Sequence, residues 1–170
     1  MLFVGVLNRY MPEGREAVLV GGALVEFYTD GAYVTGDIDL IGDRDSILPL
    51  LVAAGFDRQG RVFFQDDLEL VVDIAGRSLR RGESVQYIEF EGYRVPSVTL
   101  EDAIVDRLLA AKFWQSRTDW EQAVLLFTAH RNSVDRAVLT GKVRANDVGD
   151  TLRKLIAKTP KGHRQPPPEK

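Results

Sequence analysis

Val18 to Ile41 reads VLVGGALVEFYTDGAYVTGDIDLI, and this stretch decides the fold. It divides into an apolar strand ending at Val20, a Gly21-Gly22 turn, a short helix over Ala23 to Tyr28, a polar link, and a second strand carrying Asp37 and Asp39. Side chains alternate across a strand, so Asp37 and Asp39 project from one face while Ile38 and Leu40 project from the other, buried one. Two carboxylates on one strand face repel each other unless a cation lies between them. Mg²⁺ favours carboxylate and phosphate oxygens and retains waters, so a metal-bound nucleotide is the natural third party.

Outward from that stretch, the chain supplies another acid. Leu68 to Gly76, LELVVDIAG, alternates so that Glu69, Val71 and Asp73 share one strand face. Both acids of this stretch, Glu69 and Asp73, therefore lie on that face.

Gly-Gly, a short helix and a Gly-Asp-Ile-Asp strand, followed by Val72-Asp73-Ile74, together resemble the core signature of the polymerase-beta-type nucleotidyltransferase superfamily. The minimal, toxin-like members of the AbiEii and DUF6036 kind are the most similar. The resemblance implies an α+β fold: a mixed β-sheet nucleotidyltransferase core with flanking helices and a C-terminal helical portion. The signature calls for a third acid on a later strand, and its apolar–acid–apolar pattern implies Asp73, with Glu69 in reserve. It implies a metal-dependent transfer of NMP from an NTP, with Asp37, Asp39 and Asp73 as catalytic and metal-holding residues and Mg²⁺ or Mn²⁺ as cofactor. Gly21 and Gly22 would let backbone approach the phosphates, since no Cβ stands in the way. In the basic loop from Gly76 to Ser84, Arg77, Arg80 or Arg81 is a candidate for the phosphates or the acceptor, with Arg77 taken as the cofactor-binding one. In the helical half, Glu101, Asp102, Arg107 and Lys112 on one helix and Arg117, Asp119 and Glu121 around the next turn also resemble the toxin-like members. Arg107 joins the cofactor-binding candidates on that ground. The implied partners are an NTP and an acceptor (tRNA, protein or small molecule), with an antitoxin as a further partner. A non-catalytic interaction protein that keeps this fold, such as a toxin–antitoxin component, is the alternative.

Composition narrows the classes. The 170 residues suit a small α/β core with a helical appendage, and 45% hydrophobic residues suffice for a core. A net charge of −3 gives no global field for nucleic acid. Cysteine is absent, which removes disulfides and thiolate zinc. Only His130 and His163 are present, so a histidine-based hydrolase site lacks ligands. No apolar run reaches spanning length, and the expected location is the cytoplasm without a membrane partner.

Three units are expected: a core over 1–96, a helical portion over 97–160 and a disordered tail over 161–170. Helices are expected at Met1 to Tyr10, Ser46 to Ala54 with Ser46 as N-cap, from Thr99 as N-cap, from Thr118 with a capping box, and at Ser133 to Leu139 and Asp147 to Ala157. Single strands are expected over Phe56 to Phe64 and Leu68 to Ala75, joined by a solvated Gln65-Asp66-Asp67 turn, and a hairpin about Glu91-Gly92. Trp114 and Trp120 are expected to pack, and His130 to close a helix.

Overall fold

The computed structural model describes residues 1–159. The expected tail over 161–170, with His163, lies outside the described residues.

Seven strands form one mixed sheet in the order β3-β4-β5-β2-β1-β7-β6. Strand β1 (Val18–Val20) runs antiparallel to β2 (Ile38–Ile41) and parallel to β7 (Tyr93–Val98). Strand β2 runs parallel to β5 (Leu70–Gly76), and β4 (Val62–Gln65) lies antiparallel on its far side, followed by β3 (Asp57–Gln59). At the other edge β6 (Val85–Phe90) pairs antiparallel with β7. Seven helices accompany the sheet among the described residues: α1 (Leu2–Asn8), α2 (Gly21–Tyr28), α3 (Arg44–Ala53), α4 (Leu100–Phe113), α5 (Arg117–Ala129), α6 (Arg136–Ala145) and α7 (Gly149–Lys158). The fold class is the expected α+β with a mixed sheet.

The strand alternation works as the pattern requires. Ile38 and Leu40 of β2 are buried, and they stand level with Leu19 of β1 and Val72 of β5. Leu19, Leu40 and Val72 are fully buried, each contributing about 1.5–3 kcal/mol relative to exposure. Helix α1 lies against this face: Gly5 allows it to sit on Tyr93, where a Cβ would come within 2.5 Å of the tyrosine Cβ. Asn8 ties the same helix to the start of β1 through Ala17, accepting from its N–H at 2.7 Å and donating to its carbonyl at 2.9 Å. The face bearing Asp39 and Asp73 is the opposite one.

One continuous core joins the two halves. It runs from Val4 and Leu24 through the sheet to Ile104, Leu108, Leu126 and Leu155. Asp102 of α4, only 4% exposed, anchors the junction. It accepts from the Thr99 hydroxyl at 2.7 Å and the Ser84 N–H at 3.0 Å, and pairs with Lys142 of α6 at 2.6 Å. His130 closes α5 as expected, and its ring reaches across to the Tyr28 carbonyl at 2.6 Å, which binds α5 to α2.

Several local expectations change, each for a physical reason. Helix α3 starts at Arg44 because Asp43 is the cap: its carboxylate accepts from the Asp45 N–H, and Ser46 merely donates its hydroxyl to Asp43 at 2.7 Å. Pro49 therefore stands in the second turn, where the Asp45 carbonyl loses its usual donor. Ser116, not Thr118, caps α5 by accepting from the Asp119 N–H at 3.2 Å. Asp135 caps α6, which runs well beyond Leu139. The run from Phe56 to Phe64 is a hairpin rather than one strand, because Gly60 turns it with φ +64°. Glu69 lies outside β5, in a left-handed conformation after a 3₁₀ turn over Asp66–Leu68. Asp66 and Asp67 are exposed there. The hairpin about Glu91-Gly92 is as expected, both residues having positive φ. Trp114 does not pack: it is 82% exposed just past the end of α4, whereas Trp120 rests against the core.

Candidate active site

Asp39 and Asp73 are register partners on neighbouring parallel strands. A parallel pair in register puts both side chains on the same face, so two carboxylates stand side by side in the middle of the sheet. Asp37 falls one residue before β2 begins, on the loop, where it is exposed. Its orientation comes from Thr35, whose hydroxyl donates to Asp37 Oδ1 at 2.8 Å. Glu26 of α2 fixes that loop by accepting from the Thr35 N–H at 3.0 Å.

The two glycines are built into the acids. Gly21 has φ +68°, and a Cβ there would fall 1.8 Å from Asp39 Oδ2. The position thus requires glycine twice over, for its backbone conformation and for the space the carboxylate fills. At Gly22 a Cβ would come within 2.5 Å of the Thr35 hydroxyl, and the Gly22 N–H points at Asp39 Oδ2 from 3.4 Å. Helix α2 begins at these residues without any side-chain cap, so its first N–H groups face the acids directly. Chain order alone thus brings the turn, the loop threonine and the acids to one place.

Electrostatics follow from that crowding. Burial pushes the Asp39 carboxyl above its ordinary pKa, and the charges of Asp37 and Asp73 push it the same way. The Gly22 N–H and the more distant Arg107 guanidinium oppose the rise. Asp73 is buried, and its neutralising partner is Arg61, whose guanidinium lies 3.0 Å from Oδ2.

Arg107 is brought near, but it is heavily engaged. It donates to Asp119 at 2.7 Å and Gln122 at 2.9 Å, and also pairs with Asp106, its chain neighbour. Asp106 in turn pairs with Arg80. Burial raises the Asp106 pKa, yet the two arginines outweigh it and hold that carboxyl below its usual value. Arg77 goes elsewhere. It follows the C-terminal end of β5 and lines a shallow cleft with Arg15, Asp43 and Asp45. There it helps hold the Asp43 carboxyl below its usual pKa, behind the larger effect of the Ser46 hydroxyl.

A cleft of about 610 Å³ opens beside Asp37, lined among others by Ala23, Phe27, Thr35, Ile38 and Glu69. Glu69 therefore faces this cleft from the turn before β5 and does not share a strand with Asp73.

The donor set suits a hard cation. The atoms able to ligate a cation there are oxygens, from Asp37, Asp39, Asp73 and the Thr35 hydroxyl, and Mg²⁺ needs only one or two protein carboxylates when phosphates supply the rest. Among the described residues, no three carboxylate or imidazole groups already converge as a closed cation cage. Two of the acids are turned to partners of their own, Asp37 to Thr35 and Asp73 to Arg61.

Sequence reasoning missed Thr35 and Arg61. Arg61 carried one signal: it follows Gly60, an isolated glycine inside an otherwise strand-like run. Thr35 carried none beyond its distance of two from Asp37.

Among the described residues no helix is long and apolar enough to cross a membrane. No protein-family model matches the chain, and no curated protein is detectably similar in sequence. A solved structure is similar: that of an antigenic nucleotidyltransferase-like protein from Paracoccidioides brasiliensis, with TM-score 0.57, 17% identity, and coverage of 93% of this chain and 92% of that one. At such identity the likeness speaks for the backbone arrangement alone, and it gives this chain a nucleotidyltransferase-like fold.

Proposed function

We propose that the chain is a metal-dependent nucleotidyltransferase of the minimal, toxin-like kind, moving NMP from an NTP to an acceptor hydroxyl or phosphate. The observation that carries this is the Asp39–Asp73 register pair with the Gly21-Gly22 backbone against it. Carboxylates are costly to place side by side, Asp39 has no cationic partner in contact, and a site that binds a cation–triphosphate recovers that cost.

In this reading Asp37, Asp39 and Asp73 would hold Mg²⁺ or Mn²⁺, which when bound would screen the triphosphate and acidify the acceptor hydroxyl. Gly21 and Gly22 present N–H groups to the phosphates. Asp73 takes the acceptor's proton as its oxygen bonds to the α-phosphorus, and the bond from that phosphorus to the bridging oxygen breaks to release pyrophosphate. Arg107 sets the field at Asp39 from α4. Arg77 serves an acceptor or a distal phosphate only if the chain around Gly76 moves. The acceptor class (tRNA, protein or small molecule) and the base are left to the test.

The second reading is a non-catalytic partner-binding protein, an antitoxin's counterpart, that keeps the fold. It is favoured by one observation, the absence of a closed three-carboxylate cage among the described residues. Incubation of the purified chain with each labelled NTP, Mg²⁺ and host lysate separates the two. Label entering one class of acceptor supports transfer; calorimetry showing no Mg-NTP binding leaves the partner-binding protein.

A further inference from the structure

The buried Asp73 has an unexpected neutraliser. Arg61 sits at the tip of the β3–β4 hairpin, next to Val62, the residue that pairs with Asp73 in the ladder. Its guanidinium reaches Asp73 Oδ2 at 3.0 Å, while 83% of its side chain remains exposed. The tip is shaped to aim it: Gly60 turns the chain, and Arg58 Nε donates to the Gly60 carbonyl at 2.8 Å. The hairpin's own stability comes from its ladder and from Phe63, so the arginine is not needed to hold it.

A pair with one partner in water is weak and easily exchanged. An arginine fork also binds phosphate as readily as carboxylate, by two parallel N–H···O bonds. We propose that Arg61 is a positioning residue that exchanges partners: it neutralises Asp73 while the acids hold no cation, and turns to the phosphates when cation and nucleotide arrive together. The inference rests on the reading of the strand acids as a cation site. It also fits the absence of a preformed cage among the described residues, since an arginine on Asp73 competes with any cation for that carboxylate.

The exchange predicts two effects of opposite sign in one variant. With the full chain, Mn²⁺ titrations followed by electron paramagnetic resonance compare wild type, Arg61→Gln and Arg61→Lys. For Mn²⁺ alone, Arg61→Gln should bind roughly two- to fivefold tighter, because the competing cation is gone. For Mn²⁺ with inorganic pyrophosphate, the same variant should bind about tenfold weaker, having lost a charge-assisted donor pair. Arg61→Lys should recover the first value and only part of the second. Equal Mn²⁺ affinity in wild type and Arg61→Gln overturns the assignment, as does pyrophosphate binding that is unchanged or tighter. If wild type binds no Mn²⁺, the cation reading of the acids fails and the Arg61 proposal falls with it. In the Asp73→Asn background the effect of Arg61→Gln on Mn²⁺ alone should vanish; its persistence would mean that the arginine acts elsewhere.

Discussion

Two buried or half-buried carboxylates in this chain live by different rules. Asp102 has an ammonium at 2.6 Å, a hydroxyl and a backbone N–H, and every oxygen is occupied. Asp39 has a single long N–H contact at 3.4 Å and two other carboxylates pressing on it. A carboxylate placed to hold a fold together gathers donors from several elements, as Asp102 does from α4, α6 and the chain before β6. One left short of donors in the middle of a sheet is a candidate for a ligand that supplies the missing charge, which is the role proposed above for Asp39.

The largest effect is expected where the donors are richest. Asp102→Ala leaves the Lys142 ammonium, only 14% exposed, without its counter-charge and with the Gly82 carbonyl as acceptor, and should cost about 3–5 kcal/mol in denaturant unfolding. A loss below 1 kcal/mol would break the comparison on its structural side. On the other side, Asp39→Asn should lower transfer from NTP by roughly a hundredfold or more while unfolding remains cooperative. Full activity in that variant would remove the acid pair from the chemistry.

Gly21→Ala sharpens the link between turn and acid. The left-handed backbone alone costs about 1–2 kcal/mol, and Asp39 must move to admit the methyl group. Activity should therefore fall even where the protein still melts as one unit.

A smaller effect concerns pH. The folded Asp39 has a pKa above its unfolded value, so its ionised form destabilises the fold. That penalty is fully present above the folded pKa, fades as pH falls through it, and is absent below the unfolded pKa. Asp39→Asn should consequently raise the melting temperature at neutral pH by about 1–3 °C, and the gain should shrink in acid. Smallest of all, Asp66→Asn, on the exposed turn, should change stability by less than about 0.5 kcal/mol and leave transfer intact.

The contrast also marks what could be read before any coordinates. Alternation made the sheet face of Asp39 and of Asp73 legible, but their pairing in register rests on β2 and β5 lying side by side, which no local pattern states. The glycine turn was legible from local sequence as well. Arg61 was not, because its meaning depends on which strand β4 pairs with, and a hairpin hidden in a continuous apolar run hides its tip as well. The placement of Arg77 failed on direction: proximity to Asp73 in sequence takes a residue past the far end of β5, away from the loop holding Asp37. Caps were misplaced by two or three residues where several acceptors compete, as with Asp43 and Ser46. Trp114 shows the limit of composition, since a large aromatic at a helix end can as easily face water.

The position of β7 has a consequence in time. It lies beside β1 and pairs in parallel with it at Leu19 and Ser97, residues separated by almost half the chain. During synthesis β1 can find β2 within about a second or a few seconds, but its other edge stays open until Ser97 leaves the ribosome. For that interval the nascent protein carries an unsatisfied strand edge of Val18, Leu19 and Val20, a short apolar template for mispairing with another chain. Brevity is the protection: three residues offer little to a stray strand, and the β6–β7 hairpin arrives as a ready-made cover.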